Sequence, residues 1–256
     1  MDIIGFSNEV NARIPLSYSA GWDNDGLMCA PDPARTIRRV LCVLDVTEEV
    51  IDRAVSGDFD LILSHHPFIF HPIRSLNSAE GEGRMIGKLF RSGIGVISCH
   101  TRLDAVPGGV ADRLCSLIGL SDIRTVAEGG EGVLRVGILP GTTDISSFCS
   151  ALKNRLGAPI ILYSNHSGKV GTVAVCPGDG KDFVSAAKEN GADTYVTGRL
   201  SYNSMCDAGR TGINLVEAGH FFTENHITDY LCEIAREICG AYAEKFDSFR
   251  IRIIKE

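Results

Sequence analysis

With 256 residues, the chain is long enough for one large or two medium α/β domains with cores of ordinary size. Its 44% hydrophobic and 22% charged content fits a soluble globular protein, and no apolar run reaches membrane-spanning length. A net charge of −7 argues against general nucleic-acid binding, which depends on neutralising phosphates, but is compatible with a small anionic substrate in a locally basic pocket. The nine cysteines (29, 42, 99, 115, 149, 176, 206, 232 and 239) are scattered without a C-x-x-C pair, so neither a disulfide framework nor a thiolate zinc site is expected. Met1-Asp-Ile-Ile-Gly5 lacks a basic region followed by a long apolar run, so the simplest expected location is the cytoplasm.

In chain order, residues 1–20 predict a first helix or turn. Ser19-Ala-Gly-Trp-Asp-Asn-Asp-Gly26 follows. The cluster Asp23-Asn-Asp-Gly26 hints at a calcium loop, but Gly21 stands in the first ligand position, so a structured turn is expected. Residues 37–46 read as a strand, and Thr47-x-x-Val50 with two early glutamates opens a helix. The strand at 59–63 then runs into Ser64-His65-His66-Pro67. In open α/β sheets ligands sit outside the carboxyl ends of strands, and Pro67 ends regular pairing there. Neighbouring side chains of an extended strand point to opposite faces. Two adjacent histidines would therefore each reach a different ion of a pair more readily than chelate one. On this stretch alone, two satisfied polar histidines are an equal alternative.

Residues 74–83 read as a polar loop, 85–92 as helix, and 94–98 as a strand leading into Cys99-His100-Thr-Arg-Leu-Asp104. Pro107-Gly-Gly109 opens an amphipathic helix through Leu117. Polar residues thus fall at two successive strand ends, the signature of a parallel sheet with a site along its carboxyl edge. Residues 121–131 are turn-rich. Glu128-Gly-Gly-Glu-Gly132 is the best domain boundary, giving an N-terminal lobe at 1–128 and a C-terminal lobe at 129–256. Beyond it, strands are expected at 134–139, 159–163, 170–176, 194–197 and 213–217, with helices at 143–156 and 182–190. A long helix over 222–239 and a terminal strand at 248–254 close the chain. Pro177-Gly-Asp-Gly-Lys181 lacks the P-loop spacing and reads as an ordinary turn more readily than as an anion site.

The third polar strand end is Val216-Glu-Ala-Gly-His-Phe-Phe-Thr-Glu224. His220 and Glu224, four apart, share one helix face, and His100 and Asp104 repeat that spacing. For the first pair alone, a cap and a dipole-complementing carboxylate is the favoured reading. Jointly, four of the seven histidines (65, 66, 100 and 220) fall at three strand ends, two with a carboxylate four residues later. A catalytic zinc site takes three protein ligands plus water, so the full set exceeds what one ion needs, whereas a carboxylate-bridged pair would use it. Nitrogen and oxygen donors without thiolate suit zinc, manganese, iron or nickel.

The set Trp22-Asp-Asn-x-Gly-Leu27, Ser64-His-His-Pro67, His100-x-x-x-Asp104 and Gly219-His-x-x-Thr-Glu224 resembles the short form of the NIF-three-like dinuclear-metal-centre family, also called GTP cyclohydrolase I type 2 homologues. The resemblance implies two α/β lobes with mostly parallel sheets, a metal pair at strand carboxyl ends in the cleft between the lobes, and a ring-shaped homohexamer. It implies His65, His66, Asp104, His220 and Glu224 as ligands to two divalent ions, with His100 an additional ligand or near neighbour. The chain departs from the family at Thr197-Gly-Arg-Leu-Ser-Tyr-Asn203. Arg199 stands where an acidic residue is usual, and Asn203 lies where a histidine is frequent. That difference bears on substrate contacts and leaves the metal set intact.

Three functions follow as expectations. The first is a metal-dependent hydrolase of the GTP cyclohydrolase I type 2 kind, in which a metal pair lowers the pKa of water and His100, the catalytic candidate, shuttles a proton. Arg102 and Arg199 are candidate phosphate partners there, with salt bridges the more ordinary role for each. The second is a non-catalytic metal-binding assembly or interaction protein. The third is hydrolysis of another small phosphate ester or cyclic amide. Glu224, expected at the start of the long helix, is the expected bridging carboxylate, with Asp104 terminal on one ion.

Overall fold

The structure, a computed structural model, describes residues 1–127, 132–247, 249 and 251. Its strands are β1 (Gly26–Cys29), β2 (Arg39–Val43), β3 (Leu61–Ser64), β4 (Gly95–Ser98), β5 (Ser121–Thr125) and β6 (Arg135–Asp144). They continue with β7 (Leu162–Ser164), β8 (Lys169–Cys176), β9 (Thr194–Thr197), β10 (Asn214–Glu217) and β11 (Tyr242–Lys245). Two compact units hold them. One comprises Met1–Leu103 with the chain from Ile227 through β11, and the other Asp104–His226. The boundary expected over 128–132 falls on 128–131, outside the described residues.

In the first unit the strand order is β1-β4-β3-β2-β11. The four strands β4, β3, β2 and β11 run parallel, and β1 pairs antiparallel to β4 at the edge. Every residue of β3 and β4 is buried, as expected for a parallel strand covered on both faces. That is why Leu61-Ile-Leu63 is continuously apolar rather than alternating. The helix Ile3–Arg13 is capped by Asp2, which accepts from Gly5 N at 2.7 Å. Thr47 caps the helix Glu48–Ser56 through Val50 N, as its spacing predicts. Gly93 ends the helix Gly81–Ser92 in the left-handed region at φ 67°.

The second sheet has the order β5-β6-β8-β9-β10-β7. Its middle strands β8, β9 and β10 are parallel, flanked by antiparallel β6 and β5 on one side and β7 on the other. Each unit is therefore an α/β body with parallel strands at its centre, and the second sheet is the more mixed. Among the described residues no helix is long and apolar enough to cross a membrane.

Several elements differ from expectation, among them the edge strand β1, which was not foreseen. The turn-rich 121–131 stretch contains β5, an edge strand whose five residues are all exposed. With neither face buried it carries no hydrophobic alternation to announce it. The helix expected over 222–239 is broken into His220–Glu224 and Ile227–Cys239. Short helices Tyr202–Cys206 and Ala208–Thr211 were not foreseen. The parallel edge strand β11 was not foreseen either, and most of the strand expected at 248–254 lies outside the described residues.

Candidate metal centre

Ser64 and Ser98 stand level in the β3–β4 register, and their hydroxyls lie 2.8 Å apart. Ser64 Oγ donates to His66 O at 2.8 Å, and Phe68 N donates to Ser98 Oγ at 3.4 Å. This buried hydroxyl pair pins the His-His loop where the strands end. His65 N and His66 N still donate to Val43 O and Leu44 O, at 3.1 and 2.9 Å.

His65, His66 and His100 are each oriented through Nδ1. His65 Nδ1 lies 2.8 Å from Cys99 O. A carbonyl oxygen only accepts, so Nδ1 carries the proton and Nε2 the lone pair. His66 Nδ1 meets Asp45 Oδ1 at 2.7 Å, and His100 Nδ1 meets Asp23 Oδ1 at 2.8 Å. The three ring centroids lie 5.0, 5.5 and 5.6 Å apart. A ring nitrogen of His65 lies within 4.8 Å of one of His66. The expectation that the adjacent rings face opposite ways is corrected. Ser64 is the last strand residue, the backbone bends at His65 and His66, and the two ring centroids come within 5.0 Å, too close for side chains on opposite faces of a strand.

The Asp23-Asn-Asp25 segment, which follows a turn at Gly21-Trp22, builds the support beneath His100, a role the sequence reading missed. Asp23 accepts from Thr101 N at 3.1 Å and Thr101 Oγ1 at 2.6 Å as well as from His100. Burial alone would raise this carboxyl, but the hydrogen bonds from His100 and Thr101 outweigh it and hold the pKa at about 2. Asp25 accepts from His100 N at 3.2 Å and ion-pairs with Arg102 Nε at 2.9 Å. The two carboxylates thus collect N–H groups at the start of the helix Thr101–Ala105. Arg102 is fully buried, with its guanidinium also donating to Asn11 Oδ1 at 2.7 Å and Ile14 O at 2.9 Å. It is an internal structural cation and is removed from the candidate phosphate partners.

Asp104, one helical turn beyond His100, is 8% exposed at the start of the second unit. In that unit, Gly219 at φ 87° turns the chain from β10 into the helix His220–Glu224. His220 Nε2 and Glu224 Oε2 lie 3.0 Å apart on its face. Glu224, 4% exposed, ends this short helix instead of starting the long one. Asn225 and His226 separate the two. Arg199 is exposed, and Leu200 N donates to Glu217 Oε2 at 2.6 Å, tying that loop to the end of β10. Asn203 lies exposed in the helix Tyr202–Cys206.

The donor set is therefore imidazole nitrogen and carboxylate oxygen. Burial pushes the Cys99 thiol, beside His100, up to about 11, so it is no thiolate at neutral pH. Burial likewise raises the Cys176 thiol, with the Asp104 and Glu224 carboxylates adding to the effect. Borderline divalent ions such as zinc, iron, manganese and nickel fit these donors.

A model of the Duf34/NIF3 (NGG1p interacting factor 3) family matches residues 1–255. The chain belongs to the Duf34/NIF3 family. Among its relatives, a Nostoc protein named GTP cyclohydrolase 1 type 2 homolog is 34% identical, with 78% of each chain covered. A Clostridium perfringens protein of the same name is 32% identical over 87% of this chain and 86% of its own. The crystal structure of Staphylococcus aureus protein SA1388 superposes with a TM-score of 0.87 at 25% identity, covering 98% and 99% of the two chains. The Ser64-His-His-Pro67 and Gly219-His-x-x-Thr-Glu224 segments of this family member thus sit at the carboxyl ends of parallel strands in both units.

Proposed function

We propose that the protein binds two divalent ions through His65, His66, Asp104, His220 and Glu224 and hydrolyses a small molecule with them. GTP is the first substrate to test, since relatives carry the name GTP cyclohydrolase 1 type 2 homolog. One observation carries this reading. Three clustered histidines each have Nδ1 committed to an acceptor, which leaves Nε2 as the nitrogen with the lone pair. Metal-binding histidines are oriented in this way by carboxylates and carbonyls behind them.

Bound at these donors, a divalent pair supplies Lewis acidity and lowers the pKa of water. The protein's own part is orientation and proton handling. Cys99 O and Asp45 fix the rings of His65 and His66, and Asp23 holds the proton on His100 Nδ1, so that Nε2 is the atom that takes or gives a proton. Trp22 and Phe70 stand edge-on to the His100 ring at 6.3 and 6.2 Å, an apolar wall suited to a planar heterocycle. Exposed Arg199 remains a candidate for the phosphates. A cytoplasmic homohexamer completes the reading, and light scattering that finds only monomer over a wide concentration range would count against the assembly.

The test is elemental analysis of gently purified protein, beside turnover of GTP and of a panel of phosphate esters and cyclic amides. Two ions per chain are expected. His66→Ala should lose metal, whereas His100→Ala should keep it and lose turnover by about 10²–10⁴-fold. If His100→Ala loses metal as completely as His66→Ala, His100 is a ligand and its proton role is wrong. Full metal occupancy with no turnover of any substrate would favour a non-catalytic metal-binding protein.

A further inference from the structure

The His220–Glu224 helix is enclosed by a loop that the sequence presents as an ordinary turn, Pro177-Gly-Asp-Gly-Lys181, at the carboxyl end of β8. Buried residues of β9 hold that loop from one side. Thr197 Oγ1 accepts from Gly180 N at 3.0 Å, and Tyr195 Oη donates to Gly180 O at 2.6 Å. From the other side, Gly178 N donates to Thr223 Oγ1 at 3.1 Å, and Thr223 is completely buried. The same hydroxyl lies 2.8 Å from His220 O, to which it donates. One side chain thus joins the loop to the backbone of the residue that carries the imidazole.

Gly178 has φ +66° and presses against the paired side chains. A Cβ at this position would collide with Glu224 Oε1 and lie 3.4 Å from His220 Nε2. Gly198, at the end of β9, completes the enclosure. A Cβ there would lie 2.5 Å from Gly178 O, 2.7 Å from His220 Cα and 2.8 Å from Thr223 Oγ1. A turn needing only positive φ would accept a glycine with open space around it, as at Gly157 and Gly191. Gly178 meets a second requirement, because the backbone has to approach the carboxylate more closely than any side chain allows.

We infer that Gly178 and Thr223 are positioning residues that set the rotamers of Glu224 and His220 for metal binding, which rests on the metal reading proposed above. Glu224 cannot swing toward β8 because the Gly178 backbone occupies that space, and Thr223 fixes the distance between loop and helix. A side chain at 178 displaces the carboxylate from its metal-binding orientation without removing a ligand.

The test is zinc affinity of the full chain, measured by competition with a chromophoric chelator, beside urea unfolding of the metal-stripped protein. Gly178→Ala should weaken zinc binding by about 10–100-fold, the usual cost of losing an outer-shell support. Gly141→Ala, at an exposed glycine with nothing within 4 Å, should bind as the parent does. Thr223→Val should weaken zinc and Thr223→Ser should restore it, since serine keeps the hydroxyl. This pair decides the matter if Gly178→Ala does not fold. Parent-like zinc affinity in Gly178→Ala or in Thr223→Val overturns the inference and leaves the metal reading standing. A parent chain that takes no zinc overturns both.

Discussion

Glu224→Ala is expected to remove both metal ions together, lowering apparent affinity by more than about 100-fold, beyond the upper range for an outer-shell partner. Glu224 is 4% exposed and its Oε2 lies 3.0 Å from His220 Nε2. A carboxylate has lone pairs on two oxygens and can serve two cations at once, which an imidazole cannot. Asp104→Ala and His220→Ala should each weaken chiefly one ion, so the three variants separate a bridging ligand from terminal ones. Native mass spectrometry of metal-loaded protein reads the number of ions directly. A Glu224→Ala chain that keeps both would end the bridged-pair reading, and one that loses a single ion would make Glu224 a terminal ligand.

The sequence was informative wherever burial dictated residue type. Leu61-Ile-Leu63 had to be apolar because β3 is covered on both faces, so the strand and the polar residues at its carboxyl end could be read together. His220 and Glu224 were legible as a pair because a helix of any length brings i and i+4 onto one face. The break after Glu224 was not legible, since Asn225 and His226 are residues that a continuous helix also tolerates. β5 escaped because an edge strand with every side chain in solvent leaves no periodic signature. β11 escaped for a related reason. Tyr-Ala-Glu-Lys buries only Ala243, and the strand is defined by its pairing with β2 across a long sequence separation. The Asp23 and Asp25 carboxylates were visible as residues, but their partners His100, Thr101 and Arg102 lie more than seventy positions away. Only tertiary structure turns an apparent calcium loop into a support for a histidine.

The largest effect on stability is expected at that support. Asp25→Ala should destabilise the metal-stripped protein by about 3–5 kcal/mol, the cost of breaking a buried pair by removing one partner. Arg102 has no exposed side-chain surface and Asp25 only 3%, with Nε and Oδ1 2.9 Å apart. The other acceptors of the Arg102 guanidinium, Asn11 Oδ1, Ile14 O, Ser98 O and the neutral Cys99 Sγ, satisfy N–H groups but supply no counter-charge. A guanidinium cannot escape by deprotonating, so the variant must either hold an uncompensated charge in the interior or open to admit water. Total stabilities are about 5–15 kcal/mol, so a large share would be lost. Metal-stripped protein is the right sample because ligand binding would otherwise add its own stabilisation. Asp25→Ala combined with Arg102→Met should recover much of the loss, because the charge that lacked a partner is gone. The exposed pair Arg84–Glu48, at 2.9 Å with about half of each side chain in solvent, provides the contrast. Glu48→Ala should leave the urea midpoint close to the parent's, because solvent screens an exposed pair. Urea unfolding of the four proteins decides the matter. An Asp25→Ala midpoint as close to the parent as that of Glu48→Ala would show that Arg102 does not depend on Asp25 for its charge balance.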